Sequence, residues 1–496
     1  MRTTSQEVNR CVSLPKHVNE SSDLEFLFEP RSVAIIGASR TPGKLGHNIL
    51  RNLIDLEFKG ELYPVNPKAP EILGLKAYSR VDAIPGSLDV AVIATPASTV
   101  PEVMESCARK GVKGVVIISS GFSEEGNTTL EEKIVKIAKE TGMRIIGPNT
   151  TGILNTANGF TSSFVPGIGR AKRGNVAIVA QTGVFLGYML AYIISSQQFG
   201  LSKVVGLGNK CDVDDVEVLN YLGQDPDTKV ICMYIEGVKN GRSFLITARK
   251  VSKKKPILVL KSGVTEKGAK VAMSHTGSLA GKSEIFGAAC KQAGIIQVES
   301  FEELVDFAKA FALQPLPKSR NIGVMSVTGA GCVIAADSAI KNGFQIPSLS
   351  GETVKAIRKI SPPWHKNVGN PVDMGPAIEV GMYSPSEAQN VFNTAFNALL
   401  EDKNLDSLIV VFFGLYRSFP MFEDALSDLT SIKEKTLKPL LFSISGDKEA
   451  TDEITRLLES SGFPVYPDVA RAVRAMAAMS EYYMLNRTRQ PELFRT

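Results

Sequence analysis

Short runs of β-branched and aliphatic residues, each followed by a segment of helix length, repeat along almost the whole chain. This alternation confines the fold to parallel sheets wrapped by helices, because parallel neighbours need a crossover connection and a helix is the usual one. The first series reads Ser32-Val33-Ala34-Ile35-Ile36, Leu62-Tyr63-Pro64-Val65, Val90-Ala91-Val92-Ile93-Ala94, Val115-Val116-Ile117-Ile118 and Met143-Arg144-Ile145-Ile146. A stretch rich in Gly, Ser, Thr and Asn from Ile153 to Arg173 has weak periodicity and marks a boundary. The second series is Val176-Ala177-Ile178-Val179, Lys203-Val204-Val205-Gly206, Val230-Ile231-Cys232-Met233-Tyr234, Ile257-Leu258-Val259-Leu260 and Ile295-Ile296-Gln297-Val298. A helix from roughly Phe301 to Leu313 then meets Gln314-Pro315-Leu316-Pro317, whose prolines stop it and mark a linker. Ile322-Gly323-Val324-Met325-Ser326-Val327, Leu408 to Phe413, Leu440 to Ile444 and a weaker Pro464-Val465-Tyr466 form the third series.

At 496 residues the chain exceeds one ordinary core. The two boundaries predict three α/β domains: a Rossmann-like domain over residues 22–152, a flavodoxin-like three-layer domain over 171–314 and a second flavodoxin-like domain over 320–486. Val469 to Asn486 reads as an amphipathic closing helix. Hydrophobic residues at 44% and charged residues at 22% set disordered and fibrous classes aside. A net charge of +5 is mild at this length, and no basic run is interleaved with aromatics, so no nucleic-acid partner is expected. No apolar run approaches the ~20 residues of a membrane span, and the first twenty residues lack the apolar stretch of a secretory signal. The six cysteines are dispersed without zinc-ligand spacing, which fits reduced thiols, no metal site and a cytoplasmic location without membrane contact.

The chemistry should lie in the loops at strand ends. After the first strand comes Gly37-Ala38-Ser39-Arg40-Thr41-Pro42-Gly43-Lys44-Leu45-Gly46, leading into a helix near His47. Small residues let backbone approach a phosphate, and a helix N-terminus offers unpaired N–H groups. The spacing is not G-x-G-x-x-G, and a tight strand-to-helix turn would leave the same pattern. The second strand ends in Val65-Asn66-Pro67-Lys68, without the acidic residue that a dinucleotide ribose requires; Lys68 is either a phosphate partner or a surface lysine. Gln181-Thr182-Gly183-Val184 opens another helix, and so does Thr328-Gly329-Ala330-Gly331-Cys332, where phosphate binding and plain packing are equally good readings. Ser274-His275-Thr276-Gly277-Ser278-Leu279-Ala280-Gly281 sets one of only four histidines among small residues, where an imidazole could act as a mobile nucleophile toward phosphorus or merely help cap the helix from Ser283.

Taken together these loops resemble the NDP-forming acyl-CoA synthetases, a family that includes ADP-forming acetate–CoA ligases and, more distantly, succinyl-CoA synthetases. The match runs from about Leu24 to Asn486. In the first domain the resemblance implies coenzyme A binding by Gly37, Ser39, Arg40, Gly43, Lys44, Lys68, Thr95, Pro96, Ser119, Ser120 and Asn149. These lie in the glycine loop, Val65-Asn66-Pro67-Lys68, Ala94-Thr95-Pro96-Ala97, Ser119-Ser120-Gly121-Phe122 and Gly147-Pro148-Asn149-Thr150-Thr151-Gly152. Family members often carry cysteine where this chain has Thr150. The octet around His275 resembles the family's phosphohistidine loop, so His275 is the implied nucleophile and Glu236, in Tyr234-Ile235-Glu236-Gly237, the carboxylate that holds its ring. Gln181, Thr182, Gly183, Thr276, Gly277, Gly329, Ala330 and Gly331 are the implied phosphate ligands, two helix N-termini among them. Asp212, in the turn Gly208 to Asp212, and Asn370-Pro371-Val372-Asp373 resemble family signatures without an assigned role.

The implied reaction converts acyl-CoA, ADP and phosphate into a carboxylic acid, CoA and ATP, through an acyl phosphate and phosphohistidine, or the reverse. No G-x-x-x-x-G-K-S/T loop and no ATP-grasp module is recognisable. The expectation is therefore a separate ATP-grasp β-type subunit that binds most of the Mg2+-ATP or ADP, with an α2β2 assembly possible. A non-catalytic CoA- or acyl-CoA-binding regulator is the alternative, and a nicotinamide-dependent dehydrogenase is the less favoured rival. The acid substrate is open.

Overall fold

The structure is a computed structural model that describes residues 24–276, 283–366, 368–381, 385–414 and 436–489. Its strands are β1 (Ser32–Ile36), β2 (Glu61–Val65), β3 (Glu71–Ile72), β4 (Leu75–Lys76), β5 (Val90–Ile93), β6 (Gly114–Ile117), β7 (Arg144–Ile146), β8 (Ile153–Asn155), β9 (Phe160–Thr161) and β10 (Arg173–Ala180). They continue with β11 (Leu201–Gly206), β12 (Val230–Ile235), β13 (Ile257–Lys261), β14 (Ile296–Val298), β15 (Ile322–Ser326), β16 (Val372–Asp373), β17 (Ser407–Gly414), β18 (Leu440–Gly446) and β19 (Val465–Tyr466). Three main sheets result, ordered β2-β1-β5-β6-β7, β14-β13-β12-β10-β11-β8-β9 and β16-β15-β17-β18-β19, beside a small β3-β4 hairpin.

The first and third sheets are parallel throughout, and in the first the helices Leu45–Asp55, Val100–Arg109 and Thr128–Thr141 carry the chain between neighbouring strands, as the alternation requires. The second sheet differs at one edge. The weakly periodic segment read as a domain boundary forms β8 and β9, with β8 antiparallel to β11. Its polar residues serve a tight corner: Thr161 Oγ1 donates to Ile153 O, Ser162 Oγ accepts from Ile153 N, and Asn155 Nδ2 donates to Phe28 O. Side chains that read as loop polarity satisfy backbone groups that the corner would otherwise bury unpaired. The Asn370-Pro371-Val372-Asp373 motif supplies β16, whose two residues are too few for periodicity to announce.

Because side chains alternate across a strand, each strand feeds two different cores. Val33, Ile35, Val90, Val92 and Val116 enter one apolar layer with Ala177, Val179, Ile231, Met233, Ile257 and Val259 of the second sheet. Their neighbours Ala34, Ile36, Ala91, Ile93, Val115 and Ile117 fill the opposite face of the first sheet. The same rule continues downstream. Val176, Ile178, Val230, Cys232 and Leu258 share a layer with Ile322, Val324, Ile409, Val411 and Leu441 of the third sheet, while Met325, Leu408, Val410, Phe412, Leu440 and Phe442 fill the far side. The helices Phe301–Leu313 and Val469–Arg489 lie in the layer between the second and third sheets. Burying each aliphatic side chain of this kind contributes about 1.5–3 kcal/mol, so the layers dominate cohesion.

Charged groups stitch the seams. Arg144 at the start of β7 donates from Nε to Asp212 Oδ2 (2.9 Å) and from Nη2 to both carboxylate oxygens of Glu217 (3.0 and 2.9 Å), while Ile145 N donates to Asp212 Oδ2 (2.8 Å). Between the second and third sheets, Lys309 Nζ donates to Glu459 Oε1 (2.7 Å) and to Val465 O, and Arg471 clamps Asp306 at 2.6 and 2.7 Å. Among the described residues no helix is long and apolar enough to cross a membrane.

Candidate active site

The glycine loop is shaped by close packing. Gly37, at φ +91°, would place a Cβ 2.6 Å from Ala94 O, and Gly46 would place one 2.1 Å from Gly37 O. Only glycine lets the helix Leu45–Asp55 start this close to the end of β1. Three polar contacts then fix the loop: Asn66 Nδ2 donates to Ala38 O (2.7 Å), Ser39 Oγ accepts from Thr41 N (3.1 Å), and the buried His47 meets Ser39 O through Nδ1 at 3.0 Å. Asn66 thus serves the loop, whereas Lys68, Arg40 and Lys44 remain exposed cations around it.

Where the C-terminal ends of the first sheet face the second, a cleft of about 1580 Å³ opens. Thr95, Pro96, Ser119, Ser120 and Asn149 line one wall and Gln181, Thr182, Gly183 and Glu236 the other. The wall residues are held by local bonds. Ser119 Oγ donates to Thr95 O, Thr99 Oγ1 donates to Thr95 Oγ1 (2.9 Å), and Asn149, in left-handed backbone at φ +59°, donates its N–H to Ser119 O (2.9 Å). Thr150, where family members often carry cysteine, is buried and stitches the turn: its hydroxyl donates to Gly206 O and accepts from Gly152 N. Gly37, Ser39, Arg40, Gly43, Lys44 and Lys68 surround the neighbouring loop rather than the cleft itself; Leu45 is the residue of that loop on the cleft wall.

Several cleft residues had no role assigned from the sequence, Asn209 and Lys210 among them although their turn resembles a family signature. Asn209, Glu124 and Glu131 join across the seam, with Asn209 Nδ2 donating to Glu124 Oε2 (2.5 Å) and Glu131 Oε2 (2.8 Å). Burial opposes ionisation of Glu124, yet the Asn209 side chain and the Gly121 and Phe122 amides outweigh it and hold its carboxyl below the usual range. Lys210 and Lys239 also line the cleft, and Phe164 and Val165 add an apolar patch.

Glu236 sits at the end of β12, buried, with its backbone N–H donated to Gln181 Oε1 and its carbonyl accepting from Lys261 Nζ. Burial lowers the Lys261 pKa, partly offset by Glu236. The helix Gly183–Ser196 aims its N-terminus at the cleft, and its N-cap, Thr182, makes no side-chain capping bond. Such an N-terminus carries a partial positive charge. His275 and Thr276 close the helix Glu266–Thr276, so the backbone stays helical where the sequence suggested a loop of small residues; the helix-forming stretch Glu266 to Met273 carries it that far. The side chains of both residues, and Gly277 altogether, lie outside the described residues.

Gly329, Ala330 and Gly331 are not on the cleft wall. They open the helix Gly329–Lys341, where Thr328 Oγ1 already accepts from Gly331 N (3.1 Å) and a Cβ on Gly329 would lie 3.1 Å from Asp373 Oδ2. One amide is therefore spent on the cap and a carboxylate stands beside the others. Asp212 has no place in the cleft chemistry: it is the seam partner of Arg144 described above.

Three family models match in turn: a CoA binding domain over residues 31–156, a succinyl-CoA ligase like flavodoxin domain over 173–311 and a Ligase-CoA domain over 323–490. The fold and cleft are thus assembled from the modules of a CoA ligase. An ADP-forming acetate–CoA ligase II of Archaeoglobus fulgidus is 47% identical over 93% of this chain, which spans 67% of that protein's length. The α subunit of acetate–CoA ligase (ADP-forming) II of Pyrococcus furiosus is 37% identical over 92% of this chain and 98% of its own. A solved acetyl-coenzyme A synthetase 1 of Candidatus Korarchaeum cryptofilum, in complex with phosphate and ADP, superposes with a TM-score of 0.86 at 36% identity, covering 96% of this chain and 99% of that one. The chain belongs to the family of ADP-forming acyl-CoA ligases.

Proposed function

We propose that this chain is the α-type, CoA-binding and phosphohistidine-carrying part of an ADP-forming acyl-CoA synthetase, acting with an ATP-grasp partner that binds Mg2+-ADP or ATP. The observation that carries the reading is the cleft itself: CoA-type strand ends face a helix N-terminus and a buried carboxylate across one domain seam. The domains it joins are 22–152 and 171–314, with 320–486 completing the ligase.

The first domain fits coenzyme A. Gly37 lets the loop pack directly onto Ala94 O at the end of β5, and Arg40, Lys44 and Lys68 supply exposed positive charge around it for a phosphorylated ligand. When bound, CoA supplies the thiol that forms and releases the thioester. Thr95, Ser119, Ser120 and Asn149 orient it along the cleft toward Glu236 and the Gly183 amides. There Glu236 accepts the proton that an imidazole sheds as it attacks phosphorus, and the helix end steadies the phosphoryl charge. In one direction acyl-CoA and phosphate give acyl phosphate and CoA; the acyl phosphate then transfers its phosphoryl group to His275, releasing the acid, and His275 passes it to ADP. Splitting the conversion into phosphoryl steps keeps each barrier low.

The test is to incubate the chain with its ATP-grasp partner, Mg2+ and γ-labelled ATP. Acid-labile, base-stable label on wild type and none on His275→Ala is the expected outcome. Absence of label beside an active partner and tight CoA binding would replace this reading with that of a CoA-binding regulator.

A further inference from the structure

The turn that carries Glu236 is held by a chain of buried polar groups. Gln181 Oε1 accepts from the backbone N–H groups of Glu236 (2.8 Å) and Gly237 (3.0 Å), and its Nε2 donates to Gly237 O (2.7 Å) and Asp215 Oδ1 (2.6 Å). Lys210 Nζ donates to Asp215 Oδ2 (2.8 Å) and to the same Gly237 O (2.8 Å). Asp215 is 1% exposed, Lys210 6% and Gln181 7%. Both donors and both acceptor positions of the Gln181 amide are in use, so a flipped amide would turn every one of these bonds into a clash of like groups. The Gln181 side chain is therefore committed to the turn and has no hydrogen-bonding capacity left for a phosphate.

A lysine–aspartate pair at this depth is a poor source of stability, since desolvating two ions offsets their attraction and apolar residues would serve as well. Lys210 also adopts left-handed backbone at φ +55°, a conformation that disfavours side chains larger than glycine. Both costs fall on Lys210, whose ammonium reaches across from its own turn to the Gly237 carbonyl, next to the buried carboxylate of the cleft. Lys261 grips the Glu236 carbonyl from β13, and Lys239 reaches Lys210 O. The peptide groups on both sides of Glu236 are thus fixed by side chains from three separate elements.

From this we infer that Lys210, Asp215 and Gln181 form a positioning unit that acts through Glu236, presenting its carboxylate to the cleft in a single orientation. The inference rests on the assignment of Glu236 to the histidine chemistry. Groups that support a catalytic side chain in this way change rates by about 10–100-fold when altered.

The experiment is a double-mutant cycle on the rate of His275 labelling by γ-labelled ATP, using the full chain with its nucleotide-binding partner. Gln181→Glu keeps the shape and the two acceptor contacts but loses both donations; Lys210→Met, tested alongside, removes the ion and keeps the stem. Each should slow labelling about 10–100-fold on its own and by no more than about twofold when Glu236 is already Gln. Equal losses in both backgrounds, or no loss from either substitution, would overturn the positioning role alone. A Glu236→Gln protein labelled as fast as wild type would overturn the assignment of Glu236, and an unlabelled wild type would remove the phosphohistidine reading and this inference with it.

Discussion

Replacing Arg144 with methionine should loosen the first domain from the second. The guanidinium makes four contacts of 2.9–3.3 Å to two carboxylates, and roughly a quarter of each side chain is exposed: 27% for Arg144, 27% for Asp212 and 29% for Glu217. Breaking a fully buried pair costs about 3–5 kcal/mol and a fully exposed one about 0–1, so this partly wet site should lose about 2–3 kcal/mol. At about 2–4 °C per kcal/mol for a domain of this size, the melting midpoint falls by about 4–12 °C. Differential scanning calorimetry reads the shift, and CoA titration should show weaker binding, since the cleft spans the same seam. The pH dependence gives a second check. Burial raises the Glu217 pKa, Arg144 opposes that rise, and Asp212 and Asp214 add to it, leaving it raised. A carboxyl with a raised folded pKa favours the native state while protonated and penalises it once pH climbs past the unfolded value. Without Arg144 the penalty grows, so the deficit of the variant should shrink as pH falls toward about 4.5. A midpoint unmoved at pH 7 and 4.5 alike would refute the seam argument.

Gly46→Ala would force a methyl to within 2.1 Å of Gly37 O and should weaken CoA binding at least about tenfold by titration, whereas Gly43→Ala, with open space at φ +83°, should cost only about 1–2 kcal/mol of backbone strain in a melting experiment. Glu459→Ala leaves the buried Lys309 charge without its carboxylate and should destabilise by about 3–5 kcal/mol, read as earlier denaturant unfolding. For Asp89, burial works against ionisation, but the Arg31 amide and Lys113 outweigh it and lower its pKa. Stability from such a group is present above the unfolded value near 3.8 and lost as pH falls through the folded one. Asp89→Asn should therefore lower the melting midpoint at pH 7, with the deficit shrinking progressively as pH falls below about 3.8.

Much of this was legible in the sequence because it is written locally. The β-branched runs became strands, and the Gln181, Gly329 and His47 segments mark helix starts at strand ends, as strand–turn–helix punctuation predicts. What escaped notice was pairing over distance. Arg144 and Asp212 are 68 residues apart and Asn209 and Glu124 are 85 apart, so neither pair leaves a periodic trace. Gln181 was legible as the opening of a helix, but its side-chain partners lie 34 and 55 positions away, and only the folded sheet shows that they hold the Glu236 turn. The β8–β9 corner looked like a linker because Ser, Thr and Asn favour loops and also cap backbone groups inside tight corners.

The apolar layers also bear on how the chain is born. The three sheets are stacked in the order in which they are encoded, and each interior layer takes side chains from two of them. On the ribosome, the face of the first sheet built from Val33, Ile35, Val90, Val92 and Val116 stays open until the strands around Val179, Met233 and Val259 have emerged. The first two domains thus wait, sticky on one side, for the next to close them, so a chain stalled between β7 and β13 leaves that face exposed.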